Sequence, residues 1–194
     1  MESIREELRR GYDLVFLGAG RRRMVANRIL TAVLEQGRAD AVVLSGESFP
    51  RTFNRILVPT AGGFAARGAA ELAVLYAKTV GAQIDALHIV ETLAVENTLQ
   101  ENVRAIGAHV VTGLATLGEQ HGVRVESHVK VSRSAGRAVL AAAQENQADL
   151  IVLGAIPRLL GRRMFLGNTV EFVLHHAACA VALFIPAARR AGTA

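Results

Sequence analysis

The chain has 194 residues, of which 51% are hydrophobic and 20% charged, and its formal net charge is +5. This composition supplies apolar side chains for one full core and part of a second, and it excludes an intrinsically disordered chain. The single cysteine, Cys179, excludes an intramolecular disulfide. No tryptophan is present and aromatic residues are few, so the sequence does not indicate nucleic acid as a partner.

The apolar runs and the N-terminus indicate the cellular location of the chain. No apolar run reaches the roughly 18 residues that a membrane-spanning helix needs. Segment 1–10 is charged and lacks the apolar centre of a signal peptide. We therefore expect a cytoplasmic domain.

An internal repeat organises the first part of the chain. Asp13-Leu-Val-Phe-Leu-Gly18-Ala19 matches Asp149-Leu-Ile-Val-Leu-Gly154-Ala155 at five of seven positions, and each copy continues through a basic loop to an apolar strand at 40–44 or 180–184. Such self-similarity predicts two copies of one structural unit, the first lacking its front half. The chain then divides into the C-terminal half of a degenerate unit at 1–46, a linker at 47–53, a complete domain at 54–187 and a tail at 188–194.

From Asn54 onward, strand patterns alternate with helix patterns. Strands are predicted at 55–59, 82–90, 123–131, 149–153 and 180–185, and helices at 66–80, 99–117, 134–147 and from Asn168, with a long loop at 154–167. Ser132 or Ser134 is the expected N-cap of the third helix. This alternation predicts an α/β fold with a doubly wound, five-stranded parallel sheet. Such sheets bind ligands at the carboxyl ends of the strands, where the strand order reverses.

Three segments of this domain resemble the universal stress protein family: Ile56-Leu-Val-Pro59, Leu87-His-Ile-Val-Glu91 and the stretch 154–181. The resemblance covers nearly all of 54–186 and implies the strand order 3-2-1-4-5. The reversal would then lie between the strands at 55–59 and 149–153. Within 154–181, the run Gly167-Asn-Thr-Val-Glu171, together with Ala177-Ala-Cys-Ala-Val181, looks most like domains fused to cation/proton antiporters or amino-acid permeases.

ATP-binding members of that family carry Gly-x2-Gly-x9-Gly-Ser/Thr after the fourth strand. Glycines there let the backbone approach phosphates, and the next helix offers free N–H groups. Here Gly154 and Gly167 match the first and third glycines, Pro157 replaces the second, and Asn168 replaces the Ser/Thr but could still cap the helix. Ala61 stands where binding members place an Asp that holds the ribose.

The resemblance therefore implies a degenerate adenine-nucleotide site for ATP or AMP, with Mg²⁺ only alongside the nucleotide. Its basic residues would pair with phosphates. The alternative for the 154–169 loop is a solvated connection inherited from a binding ancestor. The candidate site comprises Pro59, Thr60, Ala61, Ile89, Gly154, Pro157, Arg158, Arg162, Arg163, Gly167, Asn168 and Thr169.

Neither a catalytic set nor a metal site is expected from the sequence. The adjacent His175 and His176 point to different sides of a helix, and His128 has no partner at ligand spacing. We interpret His88 as a packed strand histidine. The cluster at 21–23 is either an exposed loop or a contact for anionic lipid.

Three functions stay open at this point. The first is a non-catalytic regulatory or stress-response domain, with a transporter membrane domain as a possible partner. The second is a dimerisation module in which Ala41–Leu44 and Val181–Phe184 pair within one chain or between two chains of a homodimer. The third is a stand-alone stress protein with a weak ATPase.

Overall fold

The computed structural model describes residues 6–7, 10–20, 28–36, 39–92, 97–160 and 163–187. Within these residues, no helix combines the length and the apolar character needed to cross a bilayer. The strands are β1 (Leu14–Ala19), β2 (Asp40–Ser45), β3 (Arg55–Pro59), β4 (Gln83–Glu91), β5 (Val125–Ser132), β6 (Leu150–Gly154), β7 (Arg158–Leu160), β8 (Arg163–Phe165) and β9 (Ala180–Ile185). The helices are α1 (Arg28–Gln36), α2 (Phe64–Val80), α3 (Asn97–His121), α4 (Ala135–Glu145) and α5 (Asn168–His176).

One seven-stranded sheet runs through the molecule in the order β1-β2-β9-β6-β3-β4-β5. Its last five strands are mutually parallel and follow the order 3-2-1-4-5 that the family resemblance implies. Strands β6 and β9 are buried along nearly their whole length, as expected for central strands covered by helices on both faces. The strand order reverses between β3 and β6.

The internal repeat is visible in the backbone pairing. Strand β1 pairs with β2 in parallel from Leu14 opposite Asp40, and β6 pairs with β9 in parallel from Leu150 opposite Ala180. The hydrogen bond that precedes each pair is also repeated: the N–H of Asp40 donates to the carbonyl of Asp13 at 2.9 Å, as that of Ala180 does to Asp149 at 3.2 Å. The half copy therefore reproduces the last strand pair of the complete domain.

The half copy is not a separate layer, and the sheet has seven strands rather than the predicted five. Strand β2 pairs antiparallel with β9, with Val42 opposite Phe184 and Val43 opposite Leu183. The buried Asp40 carboxylate reinforces the junction by accepting a 2.8 Å hydrogen bond from the Ala187 N–H. Apolar strands on both sides of this junction explain the joining, because an uncovered β9 edge would leave backbone groups unpaired.

Each face of the sheet has its own core. One core includes Leu30 of α1, Val139 of α4 and Val173 of α5. The other includes the alanine-rich side of α2 and Leu114 of α3. Helices on both faces leave the ends of the strands as the exposed parts of the central sheet, and this places the candidate site there.

The predicted long loop at 154–167 contains structure of its own. Strands β7 and β8 form a two-stranded antiparallel hairpin in which Arg158 pairs with Phe165. Met164 and Leu166 are only 4% and 3% exposed and pack into the core under α4 and α5. This part of the connection is therefore anchored by apolar burial.

Candidate functional site

The loop after β3 and the end of β6 meet where the strand order reverses. Gly154, the last residue of β6, lies directly under the first turn of α2. A Cβ atom at Gly154 would stand 2.2 Å from the carbonyl oxygen of Ala65 and 2.6 Å from the N atom of Ala66. No side chain fits at that distance, so glycine is what permits this approach. The contact brings the first and fourth strand-to-helix connections together.

Thr60 is fixed by three hydrogen bonds at the start of the first loop. Its N–H donates to the Leu87 carbonyl at 2.8 Å, and its Oγ1 accepts from the Gly62 N–H at 3.2 Å. Its carbonyl oxygen accepts from His88 Nδ1 at 2.8 Å. His88 is a half-buried strand histidine, as expected, but it also holds this loop, a role that no local sequence pattern indicates.

The other predicted residues of the first wall have simpler surroundings. Pro59 and Ile89 are half-buried at the carboxyl ends of β3 and β4, and Ala61 is exposed. A methyl group at Ala61 offers no hydrogen bond to a sugar. This wall therefore supplies an apolar surface and the fixed Thr60 rather than a ribose acceptor.

The second wall begins after Gly154, where the Ala155 N–H donates to the Phe184 carbonyl at 2.9 Å. Pro157 is half-buried and Arg158 is exposed on β7. Arg163 lies on β8, and Arg162 falls outside the described residues. The structure shows Arg158, one of the three predicted phosphate-pairing arginines, exposed to solvent.

The N-terminus of α5 differs from the prediction. The helix begins at Asn168, and the N-cap is Gly167, with φ of +99° and no side-chain cap hydrogen bond. The expected Asn168 cap is therefore wrong, because that residue already lies inside the first turn; it is exposed, and Thr169 is half-buried. The positive φ explains why a glycine precedes the helix.

Two opposing electrostatic effects act on an anion at the N-terminus of α5. Free N–H groups and the helix dipole favour an anion there. The Glu171 carboxylate lies in the same turn and accepts a 3.1 Å hydrogen bond from the Leu166 N–H. An incoming phosphate would meet this negative charge at close range, so Arg158 and the backbone N–H groups must outweigh it. The described groups suit modest recognition of an anion.

The remaining sequence hypotheses lie away from this edge. Each of His175 and His176 places Nδ1 on a backbone carbonyl of its own helix, at 2.7 and 2.8 Å. Cys179 is half-buried beside the core. The basic cluster at 21–23 lies outside the described residues.

Comparison with known proteins gives one family and a consistent fold. The sequence profile of the Universal stress protein family matches residues 52–184. A universal stress protein of Methanocaldococcus jannaschii is 25% identical over 150 residues, which is 73% of this chain and 86% of that protein.

Two solved structures are similar in fold alone. A universal stress protein from Archaeoglobus fulgidus superposes with a TM-score of 0.61 at 19% identity, over 95% of this chain and 65% of that one. A universal stress protein family protein from Arabidopsis thaliana with AMP bound gives a TM-score of 0.55 at 16% identity, over 72% and 96% of the two chains.

Proposed function

Because the chain belongs to the universal stress protein family, we propose that it is a non-catalytic regulatory domain that responds to an adenine nucleotide. The observation that carries the proposal is the meeting of the two loops across Gly154, with Thr60 held in place by Leu87 and His88. The place where the strand order reverses is the usual ligand position in such sheets. The Arabidopsis thaliana protein of similar fold, which has AMP bound, supports the choice of ligand.

We infer that the site is degenerate, weak and better suited to AMP than to ATP. Ala61 provides no acceptor for a ribose, and Pro157 provides no N–H for a phosphate. Glu171 adds negative charge at the helix end, so the electrostatic repulsion of the ligand increases with each additional phosphate group. A single phosphate needs fewer donors, and Arg158 with the N-terminus of α5 supplies them.

Calorimetric titration with AMP, and with ATP plus Mg²⁺, tests this function. We expect saturable AMP binding that Arg158→Ala weakens and that Ala61→Asp, which supplies the implied ribose acceptor, strengthens. Arg124→Ala is the matched control, since Arg124 is exposed and precedes β5, at the amino ends of the strands rather than at the carboxyl ends where the candidate site lies. The melting temperature must rise with ligand concentration by mass action. If millimolar AMP and ATP both leave it unchanged, the proposed function is wrong.

The absence of catalysis is a separate part of the proposal. Release of phosphate from ATP is the measurement, with Arg158→Lys as the comparison because lysine keeps the charge but not the planar donor pair. We expect no turnover above the protein-free rate. Turnover that Arg158→Lys reduces would favour the weak-ATPase alternative.

The finer assignment to a transporter-associated domain rests on the run Gly167–Glu171 together with Ala177–Val181. It predicts that the chain co-purifies in detergent with a membrane domain of a cation/proton antiporter or amino-acid permease expressed beside it. Elution of the chain free of the membrane domain would contradict this assignment and leave the nucleotide proposal in place.

Assembly is a second candidate function, and the position of β1 at the end of the described sheet favours it. The strands expected to join a homodimer pair with each other inside one chain, and β2 and β9 have neighbours on both sides. Among the described strands, β1 and β5 are the edges of the sheet. Edge β5 carries charged residues such as Glu126 and Lys130, which oppose strand addition.

Strand β1 has the opposite character, since its six residues are all uncharged. Its exposed side includes Leu14 and Phe16, and Phe16 is 66% exposed. We propose that β1 pairs with the β1 strand of a second copy across a two-fold axis. Sedimentation at micromolar concentration should give a dimer that Phe16→Lys dissociates and Leu75→Lys, at a 55% exposed position on α2, does not. A monomeric wild-type chain, or a dimer that survives Phe16→Lys, would overturn this interface.

A further inference from the structure

Three side chains with metal-ligating atoms converge on one face of β4 and β5. Asp85 of β4 and Glu126 of β5 are direct partners in the parallel ladder, and His128 follows two residues later on the same face. His128 Nε2 lies 3.1 Å from Asp85 Oδ1. One ligand atom from each of the three side chains lies within 4.8 Å of the other two. The group is assembled by strand pairing across 43 positions of sequence, which is why local spacing does not show it.

The three side chains are accessible to solvent but partly buried. The Asp85 and His128 side chains are 18% and 39% exposed, so strand packing limits their movement. The Glu126 side chain is 51% exposed and accepts a 2.7 Å hydrogen bond from Arg124. The three residues line an open depression of about 230 Å³ together with Arg55, Gln83, Ile84, Arg124, Glu145 and Asn146. It lies toward the amino ends of the strands, whereas the candidate nucleotide site is at their carboxyl ends.

We propose that Asp85, Glu126 and His128 bind one divalent first-row transition metal ion, for which Zn²⁺ is the probe. An imidazole nitrogen with two carboxylate oxygens is a donor set that Zn²⁺ accepts, and the imidazole disfavours Ca²⁺ and Mg²⁺. Metal–ligand bonds of about 2.0–2.2 Å at a tetrahedral angle place neighbouring ligand atoms about 3.4 Å apart. The 3.1 Å separation of His128 and Asp85 is already close to this value.

The third ligand sets the strength of the site. Two carboxylates balance the charge of the ion, but the hydrogen bond between Glu126 and Arg124 must break before Glu126 can coordinate the ion. Water would fill the remaining positions because the depression is open to solvent. The site is therefore an exchangeable one that ties edge strand β5 to β4, and its ion stabilises the folded chain by mass action.

Competition between the protein and a chromophoric Zn²⁺ chelator tests the proposal. We expect one ion per chain, with affinity reduced at least about tenfold in His128→Gln and in Glu126→Gln, given the tenfold or greater losses that follow removal of even outer partners. His109→Gln and Glu119→Gln are the matched controls, since both residues are exposed on α3. Glu126 is itself exposed, so its variant keeps the test valid if the His128 change disturbs folding.

Co²⁺ distinguishes this site from metal binding by Cys179. A nitrogen and oxygen site gives only weak visible bands, whereas a thiolate ligand adds an intense near-ultraviolet charge-transfer band. We expect the weak bands, and we expect them to disappear in His128→Gln but not in Cys179→Ser. The proposal fails if no stoichiometric binding occurs, if the charge-transfer band dominates, or if both His128→Gln and Glu126→Gln bind like the wild type.

Discussion

His88 Nδ1 lies 2.8 Å from the carbonyl oxygen of Thr60, 28 positions earlier in the chain. A carbonyl oxygen only accepts, so the proton of this hydrogen bond is on Nδ1. The ring is therefore a brace between β4 and the loop that forms one wall of the candidate nucleotide site. The stability of that wall therefore depends on a side chain from the neighbouring strand.

Replacing His88 should loosen this wall. We expect His88→Ala to lower the free energy of unfolding by about 1 kcal/mol, the usual contribution of one hydrogen bond, and to weaken AMP binding. His88→Asn, whose side-chain amide can donate from a similar position, should recover part of both losses. Urea denaturation and calorimetry measure the two effects, with His109→Ala as the exposed control. Equal stability of all three variants would show that the brace is not needed.

Gly154 and Gly113 should respond to the same substitution with opposite signs. An alanine Cβ at Gly154 collides with the backbone of Ala65, and we expect Gly154→Ala to lower the free energy of unfolding by about 1–3 kcal/mol, as overpacking does. At Gly113, within α3, nothing lies within 4 Å of the added Cβ. Gly113→Ala should therefore raise the free energy of unfolding by about 0.5–1 kcal/mol, because alanine has the higher helix propensity. Thermal and urea denaturation of both variants provide the comparison. A tolerated Gly154→Ala would mean that α2 is not seated on β6 as described.

Asp149 should be important for the amino end of the central sheet. Its carboxylate accepts hydrogen bonds from the N–H groups of Asn54 at 2.7 Å and Arg55 at 3.0 Å. We expect Asp149→Ala to cost about 1–3 kcal/mol, because two backbone donors at the start of β3 lose their partner. Asp149→Asn retains one acceptor oxygen and should cost less. Glu119→Ala, on the exposed side of α3, is the control for removal of a carboxylate. If Glu119→Ala lowered the free energy of unfolding as much as Asp149→Ala, the hydrogen bonds of Asp149 would not be the cause.

Two serines provide a further pair with opposite expected signs. Ser45 Oγ is buried and has no hydrogen-bond partner among the described residues, so Ser45→Ala should leave the free energy of unfolding unchanged or raise it by up to about 1 kcal/mol. Ser134 is the N-cap of α4, where its side chain accepts from the Arg137 N–H, and Ser134→Ala should lower it by about 1 kcal/mol. Chemical denaturation resolves changes of this size. Destabilisation by Ser45→Ala would indicate a partner for that hydroxyl.

Much of the fold follows from the sequence because its signals are local. The alternation of apolar strands and amphipathic helices gives nearly every element of the complete domain, and the repeat at 13–19 and 149–155 gives the shared β-strand pairing. The choice between Ser132 and Ser134 needs coordinates, and Ser134 proves to be the cap. The joining of β2 to β9 was open because two apolar strands of one sequence can pair within a chain or between chains.

The candidate site is less predictable because its contacts cross between strands. The glycine spacing predicts that Gly154 and Gly167 belong to the site, but only the packing of α2 shows why Gly154 is a glycine. Asn168 fails as a cap because the helix starts at it rather than after it. The side-chain contact between Asp85 and His128 depends on the register of β4 and β5, which cannot be deduced from composition.

The hydrogen bond between Asp40 and Ala187 joins residues 147 positions apart. On the ribosome, chains emerge N-terminus first, at about 5–20 residues per second. Strand β2 therefore waits for several seconds, with its apolar edge unpaired, until β9 has been made. Closing so long a loop also slows the final step of folding. We expect the newborn chain to depend on molecular chaperones during this interval. A circular permutant that begins at Phe53, with the original ends linked, should shorten the interval, because β9 and β2 are then nearer to each other in sequence.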